Sequence, residues 1–354
     1  MSHRRWPLQV LRPLLARRLA ALATMVALGS LTLACSTDES SGGAGNDSDV
    51  VANRSTAAPT DTAQTTTDLP DVVVTYSVLA ALVSDLVAGV ADVVTIIPDG
   101  QDPHTFEPSA KDIATLNDAV LVVANGLGLE AGIDGALTNA AESGTEVFFV
   151  ADHVTLIDIV DVNDHSNHGH VHSGADSGHD HSDDHEHSED PHVWLSPEAM
   201  REALPALAQA ASEALGTDLT AAASRLDAQL QAVDAELTAT FAEFDECELV
   251  TGHNELGYFA QRYGCEVIAA ILPSASTSAE ESAGAVEFVI DVVRTHGVDV
   301  IFPSLGSSGA VAERVAETTG ARIVEVNTHF LGSATSYAAF ITSLGDTIAA
   351  GLRG

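Results

Sequence analysis

The chain has 354 residues, with 14 Lys and Arg against 51 Asp and Glu, so its formal net charge is −37. This length suggests two compact units of about 150 residues, each large enough to bury a core. A surface with so much negative charge repels phosphate backbones, which excludes nucleic acids as partners and favours cationic ligands.

The first 35 residues have the composition of an export signal. They carry five arginines and no acidic residue, and an apolar run at 19–34 ends directly before Cys35. The run is shorter than the roughly 20 residues that span a membrane. Ala34, Cys35 and Ser36 look like a bacterial lipoprotein cleavage site. We predict a lipoprotein signal peptide over 1–35 and a lipid anchor on Cys35; a plain signal peptide with an incidental cysteine is the alternative.

The next segment differs sharply in composition. Residues 36–69 are rich in Ser, Thr, Gly, Asp and Ala and contain almost no large apolar side chain. Such a segment cannot bury enough surface to offset the conformational entropy that it would lose on ordering. We predict a flexible tether between the anchor and the folded part of the chain.

From residue 72 onward, apolar β-branched runs alternate with helical stretches. Strands separated by helices indicate βαβ units and a mostly parallel sheet. In the first half the predicted strands are 72–78, 93–98, 120–126 and 145–151, and the predicted helices are 79–90, 110–119 and one that begins at Leu129. In the second half the predicted strands are 247–252, 265–271, 299–303 and 322–327, and the predicted helices are 254–264, 279–296, 308–319 and 335–352.

A long helical region separates the two halves. Residues 197–244 are rich in Ala, Leu, Glu and Gln, with a break near Gly216. The part from 219 to 244 would be about 39 Å long at 1.5 Å per residue, enough to contact both halves and hold them at a nearly fixed angle. We therefore predict an α/β fold of two (β/α)-type lobes with mostly parallel sheets: an N-terminal lobe over 70–215, a linking helix over 217–244 and a C-terminal lobe over 245–354.

Two cysteines remain beyond Cys35, and each opens an apolar run. Cys247 precedes ELVTG and Cys265 precedes EVIAAI. If these runs are adjacent parallel strands, their first residues lie side by side, within the distance that a disulfide spans. Export would bring the chain into an oxidising environment. We predict a disulfide between Cys247 and Cys265; the alternative is two free buried thiols.

Nine of the 15 histidines lie between residues 165 and 192. The segment 164–189 has no apolar period and mixes His with Asp, Glu, Ser and Gly, which is typical of a mobile loop. Imidazole suits Zn, Cu and Ni, so changing sets of these side chains would bind several ions weakly. A solvated acidic linker in which histidine is incidental is the alternative. The histidines of this predicted secondary metal-binding loop are His165, His168, His170, His172, His179, His181, His185 and His187.

Three other histidines lie at the edges of predicted strands and helices. His104 follows the strand 93–98 within GQDPHTFEPS, His192 lies in DPHVWLSP where a helix begins, and His253 follows ELVTG. Open α/β sheets bind ligands at the carboxyl ends of their strands. Any one of these side chains alone could be an ordinary surface or core histidine. Their shared location favours a common site.

These segments resemble the zinc/manganese-binding solute receptors of bacterial ABC importers, in particular their ZnuA-like zinc branch. The resemblance covers residues 72–352. It is carried by GQDPHTFEPS, NGLGLE (125–130), DPHVWLSP and GHNELGYFAQRYG in family order, with a His-rich loop directly before DPHVWLSP. The resemblance implies two (β/α)-type lobes with a metal ion held in the interlobe cleft by His104, His192 and His253.

A fourth ligand is also implied by the resemblance. The family usually takes it from the C-terminal lobe, as the Asp of an Asp-x-Leu-Gly segment. The matching position here is His329, which is followed by Phe-Leu-Gly. We therefore predict a site of four histidines. Glu325, Asn327 or a water molecule are the alternative fourth ligands.

The acidic residues near the predicted ligands have two interpretations. Asp102 and Glu107 could orient His104 or only cap its turn, and Glu107 would offset the +2 charge that four neutral imidazoles leave on the ion. Alternatively, three histidines and a water molecule would form a hydrolase site, with Glu107 or Glu255 as the general base. The sequence has no His-Glu-x-x-His helix and no other hydrolase spacing. We therefore predict no enzymatic activity.

The leading hypothesis is an extracytoplasmic, high-affinity zinc receptor that delivers Zn²⁺ to the permease of an ABC importer. Its lipid on Cys35 would anchor it to the cell membrane; without the lipid it would be periplasmic or secreted. We expect a monomer with no nucleic-acid partner. A manganese or iron receptor of the same family is the alternative, but manganese receptors favour carboxylates over a third histidine. A surface adhesin with this fold is a further class, and no sequence feature supports it.

Overall fold

The protein is described here by a computed structural model that covers residues 69–159, 162, 189–272, 274, 276–277, 283–305 and 309–354. These residues belong to one unit of the chain, Thr65–Gly354. The predicted signal peptide, the lipidation site Cys35, the tether up to residue 68 and the eight histidines of the predicted secondary loop lie outside the described residues. None of the described helices is both long and apolar enough to cross a membrane.

The N-terminal half contains a four-stranded parallel sheet with the strand order β2-β1-β3-β4. Its strands are β1 (Asp71–Tyr76), β2 (Asp92–Ile97), β3 (Leu121–Ala124) and β4 (Val147–Phe149), and its helices are α1 (Ser77–Val87), α2 (Ala110–Asp118) and α3 (Asp134–Ser143). Val72, Val73 and Val74 of the central strand are fully buried, as expected where helices cover both faces of a parallel sheet. The predicted strand 72–78 is two residues too long, because α1 already begins at Ser77.

Two helices connect the halves, α4 (Pro197–Leu215) and α5 (Thr220–Phe241). Gly216 ends α4 in the left-handed conformation, which glycine adopts without steric cost. The 22 residues of α5 give a length of about 33 Å, shorter than the sequence predicts but long enough to contact both halves. Helix α5 packs against α1 at one end of the structure and against the later helices of the chain at the other.

The C-terminal half repeats the arrangement of the N-terminal sheet. Its strands are β5 (Glu248–His253), β6 (Glu266–Leu272), β7 (Val300–Ile301) and β8 (Arg322–Ile323), and its helices are α6 (Gly257–Tyr263), α7 (Ala283–His296), α8 (Gly309–Thr319) and α9 (Tyr337–Arg353). β5 pairs with β6 and β7 with β8, all in parallel, and a bridge between Thr251 and Phe302 joins the two pairs. The resulting order β6-β5-β7-β8 matches that of the N-terminal sheet.

Strands β7 and β8 are shorter than the sequence pattern predicts. The predicted strand 299–303 ends in Pro303, which has no backbone N–H to donate to a ladder. Beyond the two regular residues of each strand, the chain continues as single bridges, such as the one between Ser304 and Val326. The chain therefore stays parallel here without forming a regular ladder.

Contacts of α5 fix the C-terminal helices against it. A Cβ atom at Gly345 of α9 would overlap the end of the Leu237 side chain, so glycine lets the two helices approach without moving that side chain. The buried carboxylate of Asp234 accepts a hydrogen bond of 2.8 Å from Nε of Arg262 and is within 3.3 Å of the Tyr263 hydroxyl. These contacts anchor α6, and with it the end of β5.

The main hydrophobic core is shared by both halves. It runs from the N-terminal sheet to α5 and α9, and it includes Tyr76, Trp194 and Tyr337. A second, smaller core lies between the C-terminal strands and α7 and α8. A disulfide joins Cys247 and Cys265 immediately before the paired first residues of β5 and β6. The α/β fold of two lobes with parallel sheets is confirmed; the exact lobe boundaries stay a prediction.

Candidate metal centre

Four histidines converge where the carboxyl ends of the two sheets face each other. His104 lies in the loop after β2, His192 directly before the short 3₁₀ helix Val193–Leu195, His253 at the last residue of β5 and His329 in the loop after β8. One ring nitrogen of each lies within 4.8 Å of one ring nitrogen of every other. Among the described residues, no other group of His, Cys, Asp and Glu side chains converges in this way.

The distances between ring nitrogens match the size of a zinc ion. Nε2 of His192 lies 3.3 Å from Nε2 of His104 and 3.3 Å from Nε2 of His253. Two nitrogens at 2.0–2.1 Å from a tetrahedral zinc ion are about 3.3–3.4 Å apart. Both separations from His192 therefore match those of two nitrogens bound to one ion. His253 ends a strand and does not open a helix as the sequence suggested, because α6 begins only at Gly257.

His329, not its rivals, faces the other histidines. It is buried, its ring stacks on that of His253 with 5.2 Å between the centroids, and its Nε2 has no hydrogen-bond partner. Asn327 instead closes its own turn, donating to the carbonyl of Phe330 and accepting from the N–H of that residue. Glu325 is exposed. The four-histidine set predicted from the sequence is thus brought together, while its role as the ligand set stays a prediction.

Burial keeps most of these rings neutral. Burial, with a smaller effect of nearby His192, lowers the pKa of His104 to about 3. The same causes, burial first, lower the pKa values of His253 and His329 well below the ordinary value. Because only the neutral imidazole binds a metal ion, these rings are in the binding form before the ion arrives.

Asp190 orients His192, a contact that sequence reasoning missed. One oxygen of its carboxylate accepts two hydrogen bonds from His192, one from the backbone N–H at 2.9 Å and one from Nδ1 of the ring at 2.7 Å. The proton is therefore held on Nδ1, which leaves the lone pair of Nε2 for a metal ion. The Asp-Pro-His spacing was the available signal for this contact.

The same Asp-Pro-His spacing gives a different result at His104. Asp102 accepts the backbone N–H of His104 at 2.9 Å and the hydroxyl of Thr277, and neither contact involves the imidazole ring. Glu107 is exposed beside Gly132. Asp102 therefore shapes the turn and links it to the C-terminal half. The expectation that Glu107 offsets the charge of the ion stays a prediction, and another carboxylate contacts ring nitrogens of the histidines directly.

That carboxylate belongs to Glu255, which is fully buried. One of its oxygens accepts the hydroxyl of Ser304, whereas Oε2 has no hydrogen-bond partner. Oε2 lies 3.4 Å from Nε2 of His253 and 3.5 Å from Nδ1 of His329. Burial raises the pKa of Glu255 to about 7. The sequence had identified this residue only as a candidate base of a hydrolase.

The NGLGLE segment positions His192 and does not contribute to the cluster itself. The Asn125 side chain donates to the carbonyl of Pro191 at 2.8 Å. The buried Glu130 accepts the Thr75 hydroxyl at 2.6 Å and the N–H of Asn125 at 2.8 Å. The turn between them includes Leu127 in the left-handed region, with φ of 56°. This turn fixes the end of β3 against the residue that precedes His192.

Contacts between the halves hold the His329 loop in place. Trp194 donates from Nε1 to the carbonyl of Thr328 at 2.8 Å, which ties the residues next to His192 and His329 to each other. Asp99, after β2, accepts the backbone N–H groups of Leu331 at 2.6 Å and Gly332 at 2.9 Å. No motif in the sequence singled out these contacts, because each joins segments that are far apart along the chain.

Comparison with known proteins identifies the family. The family model of "Zinc-uptake complex component A periplasmic", ZnuA, matches residues 72–351. The chain belongs to this family. A putative metal-binding protein of Treponema pallidum is 30% identical over 267 residues, covering 75% of this chain and 81% of the relative. The high-affinity zinc uptake system protein ZnuA of Bacillus subtilis is 28% identical over 260 residues, covering 73% of this chain and 77% of that protein.

Solved structures share the fold of this ZnuA-family chain. The periplasmic zinc-binding protein TroA of Treponema pallidum superposes with a TM-score of 0.68 at 22% identity, covering 80% of this chain and 99% of that one. A manganese-bound periplasmic metal-binding protein of candidatus Liberibacter asiaticus superposes with a TM-score of 0.65 at 18% identity, covering 79% and 98%. The resemblance seen in the sequence motifs is confirmed at the level of family and fold.

Proposed function

We propose that the protein is an extracytoplasmic, high-affinity zinc receptor that delivers Zn²⁺ to the permease of an ABC importer. The observation that carries this proposal is the cluster of His104, His192, His253 and His329, whose ring nitrogens lie within 4.8 Å of one another, two of the separations being 3.3 Å. Three of the rings are kept neutral by burial. A preorganised, neutral nitrogen cage suits tight binding of zinc.

The donor set favours zinc over manganese and iron. Imidazole nitrogen suits Zn²⁺, whereas Mn²⁺ prefers carboxylate and other oxygen ligands. Here the position at which the family usually has Asp is His329. The zinc named in the family description and in the Bacillus subtilis relative supports the same cargo, while the manganese-bound structural relative supports the alternative.

A binding role is favoured over hydrolysis. A catalytic zinc site keeps a coordination position open for water, with three protein ligands. Four histidines close that position, so the ion would be held and not used to activate water. Glu107, one of the two candidate bases, is exposed, and no contact with the cluster is seen for it.

The proposal includes the location and partners expected from the sequence. Lipidated Cys35 would anchor the protein outside the cytoplasm, and the segment 36–69 would tether the receptor within reach of the permease. The receptor would act as a monomer, because one chain supplies all four histidines. The family description, which names a periplasmic component of a zinc-uptake complex, supports this placement.

Competition between metals tests the proposal. The purified protein, titrated against a chelator of known affinity, should bind one zinc ion tightly and manganese at least about 100-fold more weakly, since neutral nitrogen ligands favour zinc. A deletion variant lacking 164–188 should keep this tight site and lose only weak sites. It retains Glu189, which bridges to Asp158.

Two results would contradict the proposal in different ways. Tighter binding of manganese than of zinc would favour the manganese alternative. Loss of tight zinc binding from the shortened protein, with an unchanged circular dichroism spectrum, would assign the primary site to the His-rich segment.

A further inference from the structure

Glu255 differs from Asp190 and Asp102, the two described aspartates that contact His192 and His104, in how its carboxylate is used. Asp190 accepts a hydrogen bond from Nδ1 of His192. This nitrogen is on the opposite edge of the ring from Nε2, which faces the other histidines. Asp102 contacts only backbone and hydroxyl groups. Glu255 instead has one oxygen, Oε2, that is buried and has no hydrogen-bond partner.

The position of this oxygen is defined by two ring nitrogens. Oε2 lies 3.4 Å from Nε2 of His253, the same nitrogen that faces Nε2 of His192 at 3.3 Å. It also lies 3.5 Å from Nδ1 of His329. The oxygen is therefore on the side of His253 that faces the other histidines.

The separation between Oε2 and Nε2 of His253 is that of neighbouring donors around one ion. A carboxylate oxygen at 2.0–2.2 Å from zinc and a nitrogen at 2.0–2.1 Å are about 2.9–3.6 Å apart when their angle at the ion is 90–120°. The contact of Oε2 with Nε2 of His253, at 3.4 Å, falls in this range. A buried carboxylate oxygen without a hydrogen bond is costly in a folded protein unless an ion or another group satisfies it.

The charge of a bound ion also favours a carboxylate at the position of Glu255. Four neutral imidazoles leave the full +2 charge of a divalent cation in a site where three of the four rings are almost completely buried. A carboxylate bound directly to the ion would lower that charge to +1 within the site. Among the described carboxylates, Glu255 contacts ring nitrogens of two of the histidines.

We propose that Oε2 of Glu255 is a fifth donor to the ion in the cleft, beside the four histidines. This inference rests on the proposed function and deepens it. The receptor would hold its cargo in a five-donor site of four nitrogens and one oxygen. Such a site accepts divalent cations that tolerate five ligands, and its single carboxylate makes it less exclusive for zinc than four imidazoles alone.

The test compares full-length wild type with Glu255→Gln, each loaded with less than one equivalent of cobalt(II). Five-coordinate cobalt absorbs visible light more weakly than tetrahedral cobalt, so the substitution should increase the absorption and shift the bands. It should also lower manganese affinity by at least about tenfold and zinc affinity by less, because carboxylate matters more to manganese. Glu325→Gln, the same chemical change at an exposed position, should leave the spectrum and both affinities unchanged.

A measurement on the wild type covers the case in which Glu255→Gln does not fold. Zinc K-edge X-ray absorption, again with less than one equivalent of metal, should show five nitrogen and oxygen donors. Four donors in the wild type, or identical cobalt spectra and an identical zinc-to-manganese preference in wild type and Glu255→Gln, would overturn the inference and leave the zinc receptor proposal intact. A wild type that binds no zinc tightly would overturn both.

Discussion

The two halves of the molecule contribute two histidines each to the cleft, but they support them with different chemistry. In the N-terminal half, aspartates lie beside both histidines: Asp190 binds Nδ1 of the His192 ring, whereas Asp102 binds only the backbone N–H of His104. In the C-terminal half, hydroxyls take the corresponding places. Ser304 lies 3.5 Å from Nδ1 of His253, and Thr328 lies 3.0 Å from Nδ1 of His329.

The difference shows where negative charge is placed in each half. The N-terminal half uses its carboxylates to orient ligands, and a carboxylate behind a histidine raises the basicity of that ligand. The C-terminal half orients its rings with neutral hydroxyls, and its carboxylate, Glu255, lies among the ring nitrogens. If the cleft holds an ion as proposed, the N-terminal half would orient its ligand His192 with a carboxylate, and the C-terminal half would supply the charge that balances the ion.

The largest expected effect comes from removing one histidine from either half. His192→Ala and His329→Ala should each lower zinc affinity by at least about 100-fold, because even the loss of a residue that only supports a ligand costs 10–100-fold. Isothermal calorimetry with a competing chelator measures this. His296→Ala, which removes a histidine paired with Glu248 on the surface of α7, serves as the control and should have no effect.

Unequal losses of zinc affinity in His192→Ala and His329→Ala would show that the two halves do not contribute equally to binding. If His329→Ala bound zinc as the wild type does, the C-terminal half would provide only one ligand and a water molecule would take the fourth place. His329→Asp, which restores the usual residue of the family, should retain zinc and bind manganese better than the wild type, since a carboxylate suits that ion.

Substitution of the two aspartates of the N-terminal half should lower zinc affinity less than loss of a histidine, and by different amounts. Asp190→Asn should lower zinc affinity by about 10-fold, because it removes the charge behind the ring of His192. Asp102→Asn makes the same change at the same spacing, but its partner is the backbone of His104, so its effect should be less than about threefold. Zinc affinities of both variants test this, with thermal unfolding to verify that each is folded. Equal effects would show that Asp190 acts through the turn and not through the ring.

The smallest effect should be that of mild acid. Since the pKa values of His104, His253 and His329 are lowered, these rings have no proton to lose to zinc at pH 6. Four imidazoles with the ordinary pKa near 6.5 would lose about 100-fold in affinity between pH 7 and pH 6. The cleft should lose less than about tenfold, most of it from Glu255, whose raised pKa of about 7 makes it take up a proton over this interval.

Zinc titrations of the variant lacking 164–188 at the two pH values measure the cleft alone. Because burial lowers the pKa of His104 in one half and of His253 and His329 in the other, these three rings should contribute little to the loss. A loss near 100-fold would mean that the rings are protonated in the metal-free protein and that the cleft is open to water before the ion binds.

The sequence by itself determined the α/β class, the order of the elements and which four histidines lie close together in the cleft. Alternating apolar runs and helical stretches report which segments are buried, and burial of a segment depends mainly on its own composition and period. His104, His192 and His253 could be found because each lies at the end of a strand or the start of a helix, and His329 because its position matches a family motif. The adjacent starts of two parallel runs likewise indicated the pairing of Cys247 with Cys265.

Only the tertiary structure decided which polar groups meet around these histidines. Asp102 and Asp190 have the same Asp-Pro-His spacing, yet only Asp190 reaches a ring nitrogen. Glu107 follows His104 by three residues and Glu255 follows His253 by two, yet Glu107 is exposed and Glu255 lies among the ring nitrogens. The physical reason is that local spacing sets only the turn of the chain. The direction of a side chain within the cleft depends on how two sheets, far apart in sequence, pack across α5 and α9.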